Sequence, residues 1–396
     1  MKLRLSVQHL AAAVTHTVRA VSTRPVVPVM AGILVTTADD GLHLAASDYE
    51  VYATDRVHAE IADDGRILVP GRLLADICAR LPKGADVDLE ANDTRLTLTC
   101  RRSRFELPLL PVDEYPQLPG LPPAVATVHG EAWAEAVAQV AFAASTEEAL
   151  PALTGVHVTL DSDELTMVAT NRYRIGHRRV TVQPAPAPAP APAGKGGGRK
   201  KAGANAAGGV EALIPAKTFG DLARAYDTDR PLTLHHGGEL WGWSSCGSSF
   251  MTRLISAEFP KTVAMIPNTD GTISAPAAEL TAAVQRVALV ALANAPVRLT
   301  LDQGLLRIEA GVGDDAHGCD AIEVTATGDL ADGYSIAFNP AFLGDGIKAC
   351  AASEVVLHVG DPHKPAVLTA HTGADDQDIA EQPYRYVVMP VRLSGS

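Results

Sequence analysis

Aromatic side chains are scarce in this chain of 396 residues, at 5% of the total. Its cores must therefore be built mainly from Ala, Val, Leu and Ile. Long apolar runs are missing too: none reaches the roughly 18 residues that a membrane-spanning helix needs. The opening stretch MKLRLSVQHLAAAV is broken by His9 and shows no small-residue cleavage site, so it does not read as a secretory signal. Cysteine is sparse, with five residues and no CxxC spacing, which points to free thiols in a reducing compartment, hence the cytoplasm. Positive charge is in deficit, with 33 Lys and Arg against 46 Asp and Glu and a net charge of −13. An acidic average argues against a nucleic-acid partner only if the charge is spread evenly, because a closed surface can be acidic outside and basic inside.

Catalytic motifs are also lacking. There is no GxxxxGKS/T, HExxH or GxSxG. The doublets Asp39-Asp40, Asp63-Asp64, Asp314-Asp315 and Asp375-Asp376 fall mostly in predicted hairpin turns, where Asp suits the backbone. His235-His236 has no matched ligands at metal-site spacing. Neither an enzyme nor a metal or other cofactor is expected. Cys78 and Cys350 fall in corresponding predicted helices and read as core fillers.

What the chain does have is repetition. Shifted by 123 residues, Leu10–Val57 lies over Trp133–Val180 without a gap, with 15 of 48 positions identical. Ser22/Ser145, Thr23/Thr146, Pro28/Pro151 and Gly32/Gly155 are among them, and these do not follow from alanine bias. Leu10, Val14 and Thr17 stand at i, i+4, i+7, as do Trp133, Val137, Val140 and Leu280, Val284, Val287. This is the spacing of one-faced helices, with Ser6 and Ser274 as expected N-caps. Each helix precedes a period-2 hairpin: GILVTTADDGLHLAASD, GVHVTLDSDELTMVATN and PVRLTLDQGLLRIEAG. A second phrase, strand then Pro or Asn then helix, also comes three times, as ILVPGRLLADICARL, ALIPAKTFGDLARAY and IAFNPAFLGDGIKAC. EYPQLP and EFPKTVAMIP close the first two thirds.

The predicted fold is α+β, with three similar domains at 1–122, 123–268 and 269–396. Each has two half-units of one helix and several antiparallel strands, helices on one side of the sheets. Residues 183–209, QPAPAPAPAPAGKGGGRKKAGANAAGG, form a low-complexity loop inserted in the middle domain. Its Lys195, Arg199, Lys200 and Lys201 are either solvated or brush DNA or an acidic partner.

STRPVVPVMAGILV, TNRYRI, FNPAFL and YVVMPVRL together resemble the bacterial sliding clamps, the β subunits of DNA polymerase III. The resemblance covers nearly the whole chain outside 183–209. It implies a head-to-tail homodimer forming a ring around duplex DNA, helices lining the hole and sheets outside. The expected partners are DNA of any sequence, the polymerase III α subunit, the clamp loader and other proteins carrying clamp-binding peptides. Under that reading, Arg19, Arg24, Arg72, Arg80, Lys83, Lys217, Arg224, Arg286 and Lys348 would face phosphate; the alternative is ordinary solvated charge.

The resemblance also implies a peptide pocket between the second and third domains. By motif it would comprise Leu153, Thr170, Arg172, Tyr173, Arg174, Ile175, Pro260, Met265, Ile266, Val387, Val388, Met389, Pro390, Val391, Arg392 and Leu393. For YVVMPVRL the alternative is a last strand with its apolar face buried. Phe105, Leu107 and Leu289 match positions that meet across the ring joint, or else are core residues. Family members commonly carry an aromatic and an arginine between FP and the closing LP, where this chain has Thr262-Val263-Ala264. That leaves a specialised or resistant second clamp with an altered pocket, or a clamp-fold scaffold that does not work at forks, as further readings.

Overall fold

The structure, a computed structural model, describes all residues except 186–208, 224–228, 262–266, 268, 292–294, 312–315, 372, 374–378 and 393–396. Six α-helices are present among the described residues: α1 Val7–Thr17, α2 Gly71–Cys78, α3 Gly130–Val140, α4 Ala216–Ala223, α5 Ala277–Ala288 and α6 Pro340–Ala349. The repeated phrases produce them as expected. Ser6 caps α1, its Oγ accepting from Gln8 N at 3.3 Å, and Asn339 Oδ1 caps α6 by accepting from Ala341 N and Phe342 N. Ser274 is a correction: it lies inside the strand Gly271–Pro276, and α5 starts after Pro276, whose side chain donates and accepts nothing.

The chain gathers into two compact units. The first comprises Met1–Glu131, Val182–Gly208 and Asp221–Leu254. It holds a five-stranded antiparallel sheet in the order Glu60–Asp63, Lys2–Ser6, Asp86–Ala91, Arg95–Cys100, Ser103–Pro108. Its nine-stranded sheet joins Gly32–Ala38, Gly41–Ser47, Val51–Val57 and Arg66–Pro70 to strands from the middle third, through pairing of Val51–Val57 with Ser248–Arg253. The second unit comprises Ala132–Thr181, Gly209–Gly220 and Ile255–Ser396. In it Arg174–Thr181 pairs with Tyr384–Val388, so a nine-stranded sheet again draws on the middle third and its neighbour.

The few aromatics are spent on the cores. All three tryptophans, Trp133, Trp241 and Trp243, are fully buried, and Trp133 meets Phe219 edge-on at 5.2 Å. Leu10, Val14, Thr17, Val137, Val140, Leu280, Val284 and Val287 all face inward, as the helical spacing predicts. Cys78 and Cys350 are buried as well, and desolvation pushes both thiols up to about 12, which removes them as nucleophiles.

A buried histidine sets an acid limit on the second unit. His177 stands opposite Arg385 in the strand pair, with Arg385 Nη2 2.9 Å from its Nε2. Burial, then the charges of Arg385 and Arg179, hold the imidazole down to about 3. The unfolded chain binds this proton near pH 6.5, so the stabilisation is complete above that pH and is lost as pH falls toward the folded value. Between pH 6.5 and pH 4 the loss is expected to reach about 3 kcal/mol. Urea midpoints of the wild type and His177→Gln across this range check it: the wild type should fall more steeply, and parallel profiles would contradict the assignment. In the first unit burial similarly lowers His16, to about 4, and raises the Asp55 carboxyl 3.4 Å away.

Candidate functional sites

The candidate partner site is built on the strands Arg174–Thr181 and Tyr384–Val388, with Arg174 opposite Val388 and Ile175 opposite Val387. The loop before the first strand is tied to itself. Thr170 Oγ1 accepts from Arg172 N, and Asn171 Oδ1 accepts from Tyr173 N and Arg174 N, each at 3.1 Å. Arg172 is held at φ 80°, a conformation uncommon outside glycine. This turns Tyr173 outward, 55% exposed. After the second strand, Met389 N donates to Tyr173 O at 2.9 Å and Val391 N to Ala337 O at 2.8 Å. Met389 and Val391 are exposed, Pro390 is half-buried and Arg392 is exposed.

The remaining wall residues separate into floor and strut. Ile175 and Val387 cluster with Val168, Val367 and Ile379, and Phe259 of EFP packs against that cluster while stacking on His157 at 4.9 Å. Pro260, next in chain, is exposed. Leu153, Thr170, Ile175, Val387 and Val388 are buried, which corrects their expected place on an open wall. Here the buried-strand reading holds: Tyr384–Val388 is central in its sheet, so both of its faces are covered. Arg174 is also corrected. Its Nη1 reaches Asp345 Oδ2 at 2.6 Å and its Nη2 donates to Phe142 O at 2.7 Å. The guanidinium lies 5.2 Å from the Phe142 ring and 4.7 Å from that of Phe342. It braces the site from beneath. Phe142 and Phe342 are the functional residues that sequence reasoning missed; only the arginine's position in TNRYRI hinted at them. Met265, Ile266, Leu393 and the Thr262-Val263-Ala264 segment lie outside the described residues.

Arg72, Lys217, Arg286 and Lys348 lie on helices, Arg19 is in the short turn after α1, Arg80 and Lys83 follow α2, and Arg24 is in the loop beyond that turn. Arg19, Arg24, Arg72, Arg80, Lys83, Lys217, Arg286 and Lys348 are all exposed; Arg224 lies outside the described residues. Among the described residues no carboxylate stands within ion-pair range of the first five, of Lys217 or of Lys348. Arg286 differs, because Asp320 Oδ2 lies 2.7 Å from it and offsets its charge. In the first unit Arg19 and Lys83 flank a groove between α1 and α2 that Gln8 and Thr15 also line. In the second, seven of the sixteen residues lining the groove between α5 and α6 are alanine, and Lys348 is its cation.

At the proposed joint residues the outcome is mixed. Phe105 is 36% exposed on Ser103–Pro108, an edge strand of its sheet, and Leu289 is 84% exposed just after α5. Leu107, at 1%, is a core residue, so its interface assignment is corrected.

The protein-family model for the N-terminal domain of the DNA polymerase III beta subunit matches residues 1–119, that for the central domain 127–188 and that for the C-terminal domain 264–392. A beta sliding clamp from Streptomyces coelicolor is 39% identical over 401 residues, covering 100% of both chains. The chain belongs to the β sliding clamp family. A beta sliding clamp homolog, GriR, from Streptomyces muensis is 32% identical and covers 99% of this chain and 100% of its own. Among solved structures, the sliding clamp of Pseudomonas aeruginosa bound to griselimycin superposes with a TM-score of 0.86 at 23% identity, over 99% of this chain and 100% of that one. The shared three-domain clamp fold accounts for the threefold repetition of this family member's phrases. Among the described residues no helix is long and apolar enough to cross a membrane.

Proposed function

We propose that this sliding clamp, with domains bounded at 1–122, 123–268 and 269–396, closes head-to-tail with a second copy into a ring on duplex DNA. It makes and breaks no bond, and acts in the cell interior by tethering other proteins. The observation that carries the DNA half of this reading is the set of exposed cations on helices and in the loops that follow them, in a chain whose net charge is −13. Cations that no carboxylate offsets attract phosphate even while the chain as a whole is acidic, and such contacts read no sequence. The exposed Phe105 on a sheet edge and the exposed Leu289 are the apolar contacts offered to the second copy. Tyr173, Met389 and Val391, with Pro260, form the patch offered to extended peptides of the polymerase III α subunit and the clamp loader.

Salt dependence tests the DNA contacts. Each neutralised phosphate adds about 0.9 to the slope of log affinity against log salt on duplex DNA. Replacing Arg24 with alanine is expected to reduce that slope by about 1 for each phosphate it leaves without a cation, equally for duplexes of different sequence. Arg286→Ala should leave it nearly unchanged, because Asp320 already offsets that charge. Anisotropy titrations of a labelled duplex from low to physiological salt read both. An unchanged slope in Arg24→Ala would contradict the assignment.

A further inference from the structure

We propose that the first unit carries a second peptide site, a groove of about 750 Å³ whose lining includes Tyr49, Tyr52, Pro116, Pro119, Glu239 and Arg253, and that it takes an extended partner segment ending in a carboxylate. This rests on the reading of the Tyr173–Met389 patch as a peptide site, because the two are built on one frame. In the groove, Ser47 Oγ accepts from Tyr49 N at 2.9 Å, as Thr170 Oγ1 does from Arg172 N. Asp48 Oδ1 accepts from Glu50 N and Val51 N, as Asn171 Oδ1 does from Tyr173 N and Arg174 N. Tyr49 is held at φ 77°, beside φ 80° for Arg172. Arg253 N donates to Glu50 O at 2.9 Å, the counterpart of Met389 N on Tyr173 O at the same distance. Pro116 of EYPQLP stands for Pro260 of EFPKTVAMIP. Five elements of one site are thus repeated in the other.

The side chains on this shared frame are exchanged, and that sets the ligand. Where the second unit puts an arginine at the strained position, the groove puts the ring of Tyr49, 48% exposed. Where the second unit puts Met389, the groove puts Arg253. The Arg253 Nε donates to Tyr49 O at 3.0 Å and the Tyr52 side chain also bonds the guanidinium, whose ion pair with Glu239 is a long 3.4 Å contact to a side chain 83% exposed. A contact that long and that solvated is readily replaced by an incoming carboxylate, which pairs with arginine in a two-bond fork. Proline and tyrosine surfaces suit an apolar or proline side chain of an extended peptide, and the volume lies within the roughly 300–1,000 Å³ of ligand sites. The two sites therefore select different peptides, the groove an acid-ended one and the Met389 patch an apolar one.

The test uses the full chain and a fluorescein-labelled peptide, acetyl-Ala-Pro-Leu-Phe-Glu. Arg253→Gln and, separately, Tyr49→Gly are each expected to weaken its binding tenfold or more, with Met389→Ala neutral. Tyr49→Gly relaxes the positive φ, so it removes the ring without straining the loop. The same peptide ending in Gln amide, which carries no carboxylate, should bind the wild type as weakly as the acidic peptide binds Arg253→Gln. Unaltered binding in Arg253→Gln, dependence on Met389, or no binding at all would overturn the proposal. If replacing Pro186, Pro188, Pro190 and Pro192 with serine strengthens binding tenfold, the chain's own tract is the occupant and the partner peptide is overturned. An apolar clamp-binding peptide, run in parallel, keeps the two readings apart. Its dependence on Tyr173 and Met389 tests the first site whatever Arg253 does, and its unchanged binding in Arg253→Gln shows that the variant is folded.

Discussion

Replacing Arg174 with alanine is expected to destabilise the second unit by about 3 kcal/mol and to weaken binding at the Tyr173–Met389 patch by tenfold or more. The side chain is only 11% exposed and holds three elements at once. Its Nη2 bond satisfies Phe142 O just beyond α3, its Nη1 bond reaches Asp345 on α6, and its plane lies against both phenyl rings. Phe142 in turn stacks on Tyr386 at 5.7 Å, and Tyr386 donates to Phe342 O at 2.8 Å. Removing the guanidinium leaves a half-covered carbonyl and two rings without their partner. Each such loss is on the order of 1 kcal/mol, more where water does not reach the freed group. Tyr173, which stacks toward Phe342 at 6.3 Å, would lose its backing and with it the fixed position of the exposed ring. Arg174→Lys should recover less than half of the loss, because an ammonium cannot lie flat between two rings and fork to two acceptors. Urea unfolding and peptide titration of the two variants measure both effects. A destabilisation under about 0.5 kcal/mol in Arg174→Ala would make these interactions incidental.

Much of the fold was legible because local pattern and final environment agree. The hairpins follow period-2 alternation around Asp and Gly turns, α1, α3 and α5 carry apolar residues at i, i+4, i+7, and α2, α4 and α6 follow Pro or Asn. The crossing of sheets from one third into the next was not legible. Ser248–Arg253 and Tyr384–Val388 look like ordinary last strands, and nothing in either segment names its distant partner, Val51–Val57 or Arg174–Thr181. That is also why Val387 and Val388 were expected on an open wall: a strand known to be central would have been read as covered on both faces. Leu107 and Ser274 failed for a related reason, since alternation fixes which residues share a face but not which face turns inward, and a serine before a helical run caps it only if the strand ends there. At the candidate site, Tyr173, Met389 and Val391 were named only with thirteen others through the motifs, and it is their exposure that separates them. The role of Arg174 was not legible, because Phe142 and Phe342 come from segments far away in sequence.

The proposed hold on DNA is topological: the clamp keeps the duplex by enclosing it. Phosphate contacts alone are weak and salt-sensitive, so they permit sliding, and a ring on a molecule without ends stays associated even when those contacts are screened. Loaded with a clamp loader and ATP onto nicked circular duplex and then moved to high salt, the protein is expected to remain bound for many minutes. On the same molecule cut once, it should leave within seconds by sliding off the end, a difference of two orders of magnitude or more. Arg24→Ala should alter loading far more than retention. The measurement is gel filtration of the labelled protein with the circle before and after a single-site cleavage. Release on linearisation is the predicted result; equal retention on circular and linear DNA, or release of both by salt, would contradict enclosure.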